Sequence, residues 1–276
     1  MKEILISDDE IKALHPIFRG KHGPKVIRFA RKVAGLDIAC RIYDESKHLS
    51  GVEFTTDLLN KLGIKRTIVN GEVLDSFEEK PFIIVANHPN GHIDGISLIE
   101  AIGSKVSNFK VMVNYILGMI DTMDENFIKV NPYTDSKNTH ISLSGIKESI
   151  THMQAGKPIG FFPAGSVSRL KIQKGKFVIR DRKWQESVIK LIQKSNLPVI
   201  PVFINSRNSY GFYATRFIHW SLQTLALCHE FENKNGKEIQ LILGHPINPQ
   251  IINSYSNPKD LADFLCQETY NLAGNR

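Results

Sequence analysis

The spacing of apolar positions changes near Thr67. Upstream it is helical. Across residues 25–34, at 100° per residue, Val26, Ile27, Phe29, Ala30 and Val33 share one side, and Lys25, Arg28, Arg31 and Lys32 the other. Pro24 suits the first turn of that helix. Ser50 and Glu53 have the spacing of a capping box ahead of Phe54, Leu58, Leu59 and Leu62, and Gly63 stops the run. Residues 1–70 are therefore expected to form a helical N-terminal segment, and 71–276 the main domain. Downstream, short apolar runs at 81–86, 109–113, 158–162, 198–204 and 238–243 alternate with helical patterns at 94–102, 141–154, 184–194 and 258–272. That alternation predicts an α/β fold, a largely parallel central sheet flanked by helices. Sheets of this kind hold ligands at the carboxyl ends of their strands.

Those ends carry the candidate chemistry. The run 81–86 breaks into Asn87-His88-Pro89-Asn90-Gly91-His92-Ile93-Asp94-Gly95. An imidazole and a carboxylate at one strand end suit general-base catalysis, since the carboxylate fixes the tautomer and raises the basicity of the ring. Other readings stay open here: Asp94 as the N-cap of the next helix with His88 a satisfied turn residue, or His88, His92 and Asp94 as metal ligands. The ligand spacing would need a helix, which Pro89 and Gly91 oppose. A second strand breaks at Phe162-Pro163-Ala164-Gly165-Ser166-Val167-Ser168-Arg169, where backbone N–H groups, hydroxyls and a guanidinium can cradle an anion. No G-x-S-x-G nucleophile elbow occurs. Arg169, Lys171, Lys174, Lys176, Arg180, Arg182 and Lys183 follow one another closely, as a solvated face or as a docking surface for a phosphate-bearing substrate or membrane. Runs at 110–118, continuing to Pro132, and at 197–209 also lead from strand into polar residues.

A net charge of +7 and a pI near 9.2 favour an anionic partner. The basic stretch lacks interleaved aromatics outside Phe177 and Trp184, and no nucleic-acid motif appears, so nucleic acid is the weakest candidate. No apolar run approaches membrane-spanning length, and the first residues lack the apolar stretch of a secretory signal. Cys40, Cys228 and Cys266 are few, dispersed and odd in number, which argues against a disulfide framework or zinc ribbon and for a reducing cytoplasm.

In order and spacing, these blocks resemble the glycerolipid (lysophospholipid and 1-acylglycerol-3-phosphate) acyltransferase superfamily over residues 75–250. Asn87-His88-Pro89-Asn90-Gly91-His92-Ile93-Asp94 is similar to the N-H-P-x-G-x-x-D form of its hemolysin-type branch, and 162–169 to that branch's F-P-A-G-E-V-S-R, with Ser166 in place of the acid. Leu197–Pro201 and Arg207-Asn208-Ser209 match its last block. The resemblance implies a glycerol-3-phosphate acyltransferase-like fold, His88 as catalytic base and Asp94 as its orienter. Asn87, Gly165, Ser166, Ser168 and Arg169 are expected to bind substrate. It further implies an O-acyltransferase of phospholipid biosynthesis that moves a fatty acyl group from acyl-CoA or acyl carrier protein to a lysophospholipid, lysophosphatidic acid or lyso-aminolipid. No cofactor or metal is expected. The basic amphipathic helix suggests a peripheral enzyme on an anionic surface, the inner face of the cell membrane. The alternative, motivated by Ser166, is a catalytically weakened lipid- or acyl-carrier-binding protein of the same fold.

Overall fold

The computed structural model describes residues 7–14, 18–77, 80–131, 139–173, 175–218, 227 and 229–274. Pro132, Lys174 and Cys228 lie outside them, as do the side chains of Ala30, Lys32 and Val33. The strands are β1 (Lys65–Val69), β2 (Ile83–Ala86), β3 (Lys110–Asn114), β4 (Phe127–Val130), β5 (Ile159–Phe161), β6 (Arg169–Gln173), β7 (Lys176–Arg180), β8 (Val199–Asn205) and β9 (Glu238–Leu243). The helices are α1 (Asp8–Leu14), α2 (Gly23–Ala34), α3 (Leu36–Ser46), α4 (Gly51–Lys61), α5 (His92–Gly103), α6 (Thr139–Gln154), α7 (Glu186–Ser195), α8 (Tyr210–Ile218), α9 (Glu230–Asn233), α10 (Pro249–Ser254) and α11 (Pro258–Asn271).

Seven strands form one sheet in the order β1-β9-β8-β2-β5-β3-β4, parallel throughout except where β8 meets β9. The fold is thus α/β with a mostly parallel central sheet flanked by helices. Strand β2 lies inside the sheet, and all four of its residues are buried. Successive side chains point to opposite faces. Ile84 and Ala86 accordingly join the core shared with α3, α4 and α5, while Ile83 and Val85 join the one shared with α7, α10 and α11. A strand covered on both faces reads as a continuous apolar run, which is why it stands out in the sequence.

The expected elements form, with ends shifted by one or two residues. The helical N-terminal segment ends earlier than expected. Gly63, at φ +64, closes α4, with Ile64 N–H donating to Leu59 O at 3.0 Å, and residues 65–69 enter the sheet as β1. Its Lys-Arg-Thr-Ile-Val sequence suits an edge strand, where charge is tolerated and β-branching favoured. Ser50 takes the N-cap position of α4, but its side chain makes no capping bond. The apolar side of α2 is divided: Ile27 packs on Ile11, whereas Phe29 is 69% exposed. The cationic stretch after Arg169 is structured, as the antiparallel hairpin β6–β7. Cys40 and Cys266 are free thiols.

Candidate active site

Strands β5, β2 and β8 run side by side and parallel, with Ile83 opposite both Ile159 and Val199. Their carboxyl ends therefore deliver three loops, 87–91, 162–168 and 206–209, to one edge of the sheet.

His88 is held there by its own backbone. Its N–H donates to Asp181 Oδ1 at 3.2 Å, and its carbonyl accepts the Ser168 N–H at 2.8 Å. The ring stacks on Phe162, centroids 4.2 Å apart and planes 27° from parallel. Nδ1 lies 3.0 Å from Asp94 Oδ2, a charge-pair distance without full hydrogen-bond alignment. Nothing among the described residues hydrogen-bonds Nε2, and the side chain keeps 17% exposure.

Asp94 is fully buried. It is the third residue of α5 rather than the N-cap that spacing suggested; Gly91 takes that position, with φ +82 and ψ −127, a conformation only glycine adopts easily. The carboxylate reaches back along the helix start. Oδ2 accepts the N–H groups of Asn90 (2.8 Å) and Gly91 (3.0 Å), and Oδ1 accepts Asn90 Nδ2 at 2.7 Å. Three donors at the positive end of a helix surround the carboxylate. One carboxylate thus caps α5 and faces the imidazole.

The remaining sequence-predicted residues divide. Asn87 is buried, and its side chain continues the sheet: Nδ2 donates to Ile204 O at 3.2 Å, and Oδ1 accepts the Ile204 N–H at 2.6 Å. Ser168 is fully buried and donates to Asp181 Oδ1. Gly165 has φ +62, a left-handed position that favours glycine, and a Cβ there would displace the amide end of Gln185. Ser166 Oγ is buried with no hydrogen-bond partner among the described residues, and the half-buried Arg169 opens β6 two residues after Val167. The hypothetical metal ligands do not converge. His92 turns its ring against Phe231, centroids 4.2 Å apart, with Nε2 buried and unpartnered among the described residues. Burial, then the nearby Lys234, pushes its pKa down to about 3, so the ring is neutral. No group of three or more potential metal ligands occurs among the described residues.

Two buried charges escaped the sequence reading. Asp181 accepts from His88 N, Ser168 Oγ and Trp184 Nε1 (3.1 Å), and its own N–H donates to the Tyr270 hydroxyl oxygen at 2.9 Å. Burial pushes its carboxyl pKa up, and the hydrogen bonds from Ser168 and Trp184 oppose that. Lys234, 1% exposed, donates from Nζ to Asn90 Oδ1, Arg207 O (2.6 Å) and Ser206 Oγ (3.3 Å). Burial lowers its pKa to about 8, against the pull of Asp94 and Glu230. A chain of contacts therefore runs from Lys234 through Asn90 and Asp94 to His88. Tyr213 donates to Pro89 O at 2.8 Å and Asn208 Nδ2 to Asn90 O at 3.3 Å, fixing the same turn from beyond β8. Only Asn90 lay within the motif; Lys234 sits in Glu230-Phe231-Glu232-Asn233-Lys234, where no periodicity marks it.

A histidine beside a buried carboxylate, with its outer nitrogen unpartnered among the described residues, thus lies at the carboxyl end of a strand inside a mostly parallel α/β sheet, the edge where folds of this class hold ligands. The Acyltransferase family profile matches residues 18–275, and the chain belongs to that family, an enzyme of the glycerolipid acyltransferase superfamily. It is 27% identical over 277 residues to the lyso-glycine lipid O-acyltransferase of Bacteroides thetaiotaomicron, an alignment spanning 97% of each chain. It is 25% identical to the protein of the same name from Phocaeicola vulgatus, over 97% of this chain and 98% of that one. In structure it is similar to the 1-acyl-sn-glycerophosphate acyltransferase PlsC of Thermotoga maritima, with TM-score 0.50 and 15% identity over 89% of this chain and 86% of that one, a likeness of fold.

Proposed function

We propose that this protein moves a fatty acyl group from an acyl thioester, acyl-CoA or acyl carrier protein, to a hydroxyl of a lysolipid. The names of the two relatives favour a lyso-glycine lipid, a lyso-aminolipid, as acceptor. The observation that carries the reading is the His88–Asp94 pair, 3.0 Å apart, with His88 Nε2 unpartnered among the described residues. Asp94 beside Nδ1 keeps the ring proton there and leaves Nε2 as the base. The acceptor oxygen attacks the thioester carbonyl while Nε2 takes its proton. The tetrahedral intermediate then collapses, the C–S bond breaks, and the imidazolium returns the proton to the departing thiolate. Asp94 offsets the positive charge carried meanwhile by the ring. An acyl thioester is already activated, so the chemistry requires no enzyme nucleophile.

Gly165 to Arg169 lie beside His88 through the Ser168–His88 backbone bond, and we assign this turn to the acceptor's polar end. Within it Ser166 Oγ is buried with no hydrogen-bond partner among the described residues, and Arg169 supplies a cation. Ser168 and Asn87 serve the site from behind, holding loops together. Such an enzyme meets its acceptor at an anionic membrane surface on the cytoplasmic side. No helix among the described residues is long and apolar enough to cross a membrane.

The test is thiol release from long-chain acyl-CoA and from acyl carrier protein, with lyso-glycine lipid as acceptor and the product followed by mass spectrometry. His88→Ala is expected to lose about 10²–10⁴-fold in rate while keeping the wild-type circular dichroism spectrum. Transfer at the wild-type rate by a folded His88→Ala protein overturns the assignment.

A further inference from the structure

The β6–β7 hairpin stands apart from the seven-stranded sheet and has two unlike faces. Its register pairs Leu170 with Ile179 and Ile172 with Phe177; between them, Arg169 faces Arg180, Lys171 faces Val178 and Gln173 faces Lys176. Because side chains alternate across a strand, Leu170, Ile172, Phe177 and Ile179 form one wholly apolar face, and the other is mostly cationic. The inner apolar pair, Leu170 and Ile179, is half-buried. The outer pair is not: Ile172 is 70% and Phe177 69% exposed, the two most exposed large apolar side chains, with Phe29, among the described residues. A two-stranded ribbon that leaves such a pair in water gives up most of the burial that normally stabilises a hairpin. Lys176, Arg182 and Lys183 are also exposed and make no ion pair among the described residues. Apolar side chains at a tip with unpaired cations around and behind them match the layering of an anionic bilayer interface, acyl chains inside and phosphates outside.

The root of the hairpin is the candidate site. Strand β6 begins directly after Ser168, whose N–H donates to the His88 carbonyl, and β7 ends directly before Asp181, which accepts the His88 N–H. Lys171 Nζ donates to Asp181 O at 2.5 Å, and the Arg180 guanidinium lies 4.0 Å from the centroid of the Tyr270 ring, so the base is clamped on both strands. Five residues per strand at about 3.4 Å each put the tip roughly 17 Å from His88 along the ribbon. That is a suitable reach for an element that rests in the interface while a lipid's polar end is drawn back to the base.

We infer that the β6–β7 hairpin is the membrane-docking element of this enzyme, inserting Ile172 and Phe177 into an anionic bilayer and delivering the lysolipid to the loop at its root. The inference rests on the lysolipid-acceptor reading, and the experiment separates the two. The full-length protein is sedimented with vesicles of phosphatidylcholine alone and of an equimolar phosphatidylcholine–phosphatidylglycerol mixture. Binding is expected with the anionic vesicles only. Ile172→Ser/Phe177→Ser should weaken it by at least about tenfold per side chain, and Lys176→Gln, Arg182→Gln and Lys183→Gln by roughly fivefold each. A Phe177→Trp protein placed on anionic vesicles of brominated lipid should show quenching beyond that of wild type.

The double serine variant should lose transfer to vesicle-borne acceptor yet keep the wild-type rate on a short-chain lysolipid below its micellar concentration. Vesicle binding unchanged in that variant, or no quenching beyond wild type in vesicle-bound Phe177→Trp protein, overturns the inference and moves docking elsewhere, with Phe29 on α2 the next candidate. Intact, quenched docking with no transfer in either format upholds the hairpin and sinks the acyl-transfer reading instead.

Discussion

Asp94→Asn separates the two tasks of the buried carboxylate, and its effect can be worked from donors and acceptors alone. Oδ2 meets two backbone N–H groups and Oδ1 meets the Asn90 amide –NH2. A carboxylate accepts at both ends, whereas an amide accepts at one. With its oxygen toward the backbone donors, the new amide turns its –NH2 onto the –NH2 of Asn90. Asn90 could relieve this by rotating its own amide, but its oxygen is held by the Lys234 ammonium and by the Ser206 hydroxyl at 3.2 Å. Rotation would set an –NH2 against a buried cation. One donor–donor contact therefore remains buried in every arrangement, at about 1–3 kcal/mol. With the weakening of the charge-assisted bonds, Asp94→Asn is expected to lose roughly 2–4 kcal/mol of stability.

The same reasoning makes Lys234→Met the diagnostic second change. Removing the ammonium lets the Asn90 amide turn its oxygen toward the introduced amide, so the double variant should be more stable than additivity allows, by about 1–2 kcal/mol. Transfer should not return with stability, since a neutral amide cannot hold the imidazolium of His88; both variants carrying Asp94→Asn should stay about 10²–10⁴-fold down. Urea midpoints and slopes for the four proteins of the cycle give the energies, and thiol release gives the rates. Additive energies within about 0.5 kcal/mol would show that Lys234 does not orient Asn90. Restored transfer in the double variant would show that the Asp94 charge is dispensable.

Two further outcomes follow from the geometry. Gly165→Ala forces a side chain into a left-handed backbone position and onto Gln185, 1.8 Å from the added carbon, and should lower stability by about 1–3 kcal/mol with a lower thermal midpoint; an unchanged midpoint would mean the turn is softer than its packing implies. His92 is neutral in the folded protein, with a pKa of about 3, and protonates near 6.5 once unfolded. Its contribution is therefore complete above about pH 6.5 and declines as pH falls toward 3, by up to about 1.4 kcal/mol per unit. Between pH 8 and pH 5 the wild type should lose about 2 kcal/mol more than His92→Phe in urea titrations, and parallel pH profiles would contradict the burial assigned to that ring.

How far the fold can be read from the sequence follows from where each strand lies. β2 and β8 are apolar because both faces are covered, and β9 runs from Glu238 to Leu243 as its apolar texture predicts. β1 falls within the expected helical segment because an edge strand can carry Lys65 and Arg66 without penalty, which blurs its pattern. In sequence the hairpin presents itself chiefly as a run of charge. Yet Leu170-Lys171-Ile172-Gln173 alternates ahead of the glycine turn at Gly175, and Phe177-Val178-Ile179 after it is a short β-prone apolar run, so a hairpin signal lies beneath the cations.

The site divides along a different line. His88 and Asp94 are six residues apart, so one strand end and one helix start bring them together whatever the rest of the chain does. The groups that hold them come from far along the chain: Asp181 reaches His88 across 93 residues, and Lys234 reaches Asn90 across 144. A lysine in a polar stretch and an aspartate between two arginines look solvated in sequence; the fold buries Asp181 among His88, Ser168, Trp184 and Tyr270, and Lys234 among Asn90, Ser206 and Arg207. Burial is what gives them consequence. In water Lys234 would not discriminate between the two ends of an amide, and Asp181 would not choose among donors. Inside the protein, an unmatched donor or acceptor costs enough to fix every partner, from the ammonium to the amide, the carboxylate and the imidazole. Local spacing thus supplies the His88–Asp94 pair proposed to react, and long-range burial supplies its orientation.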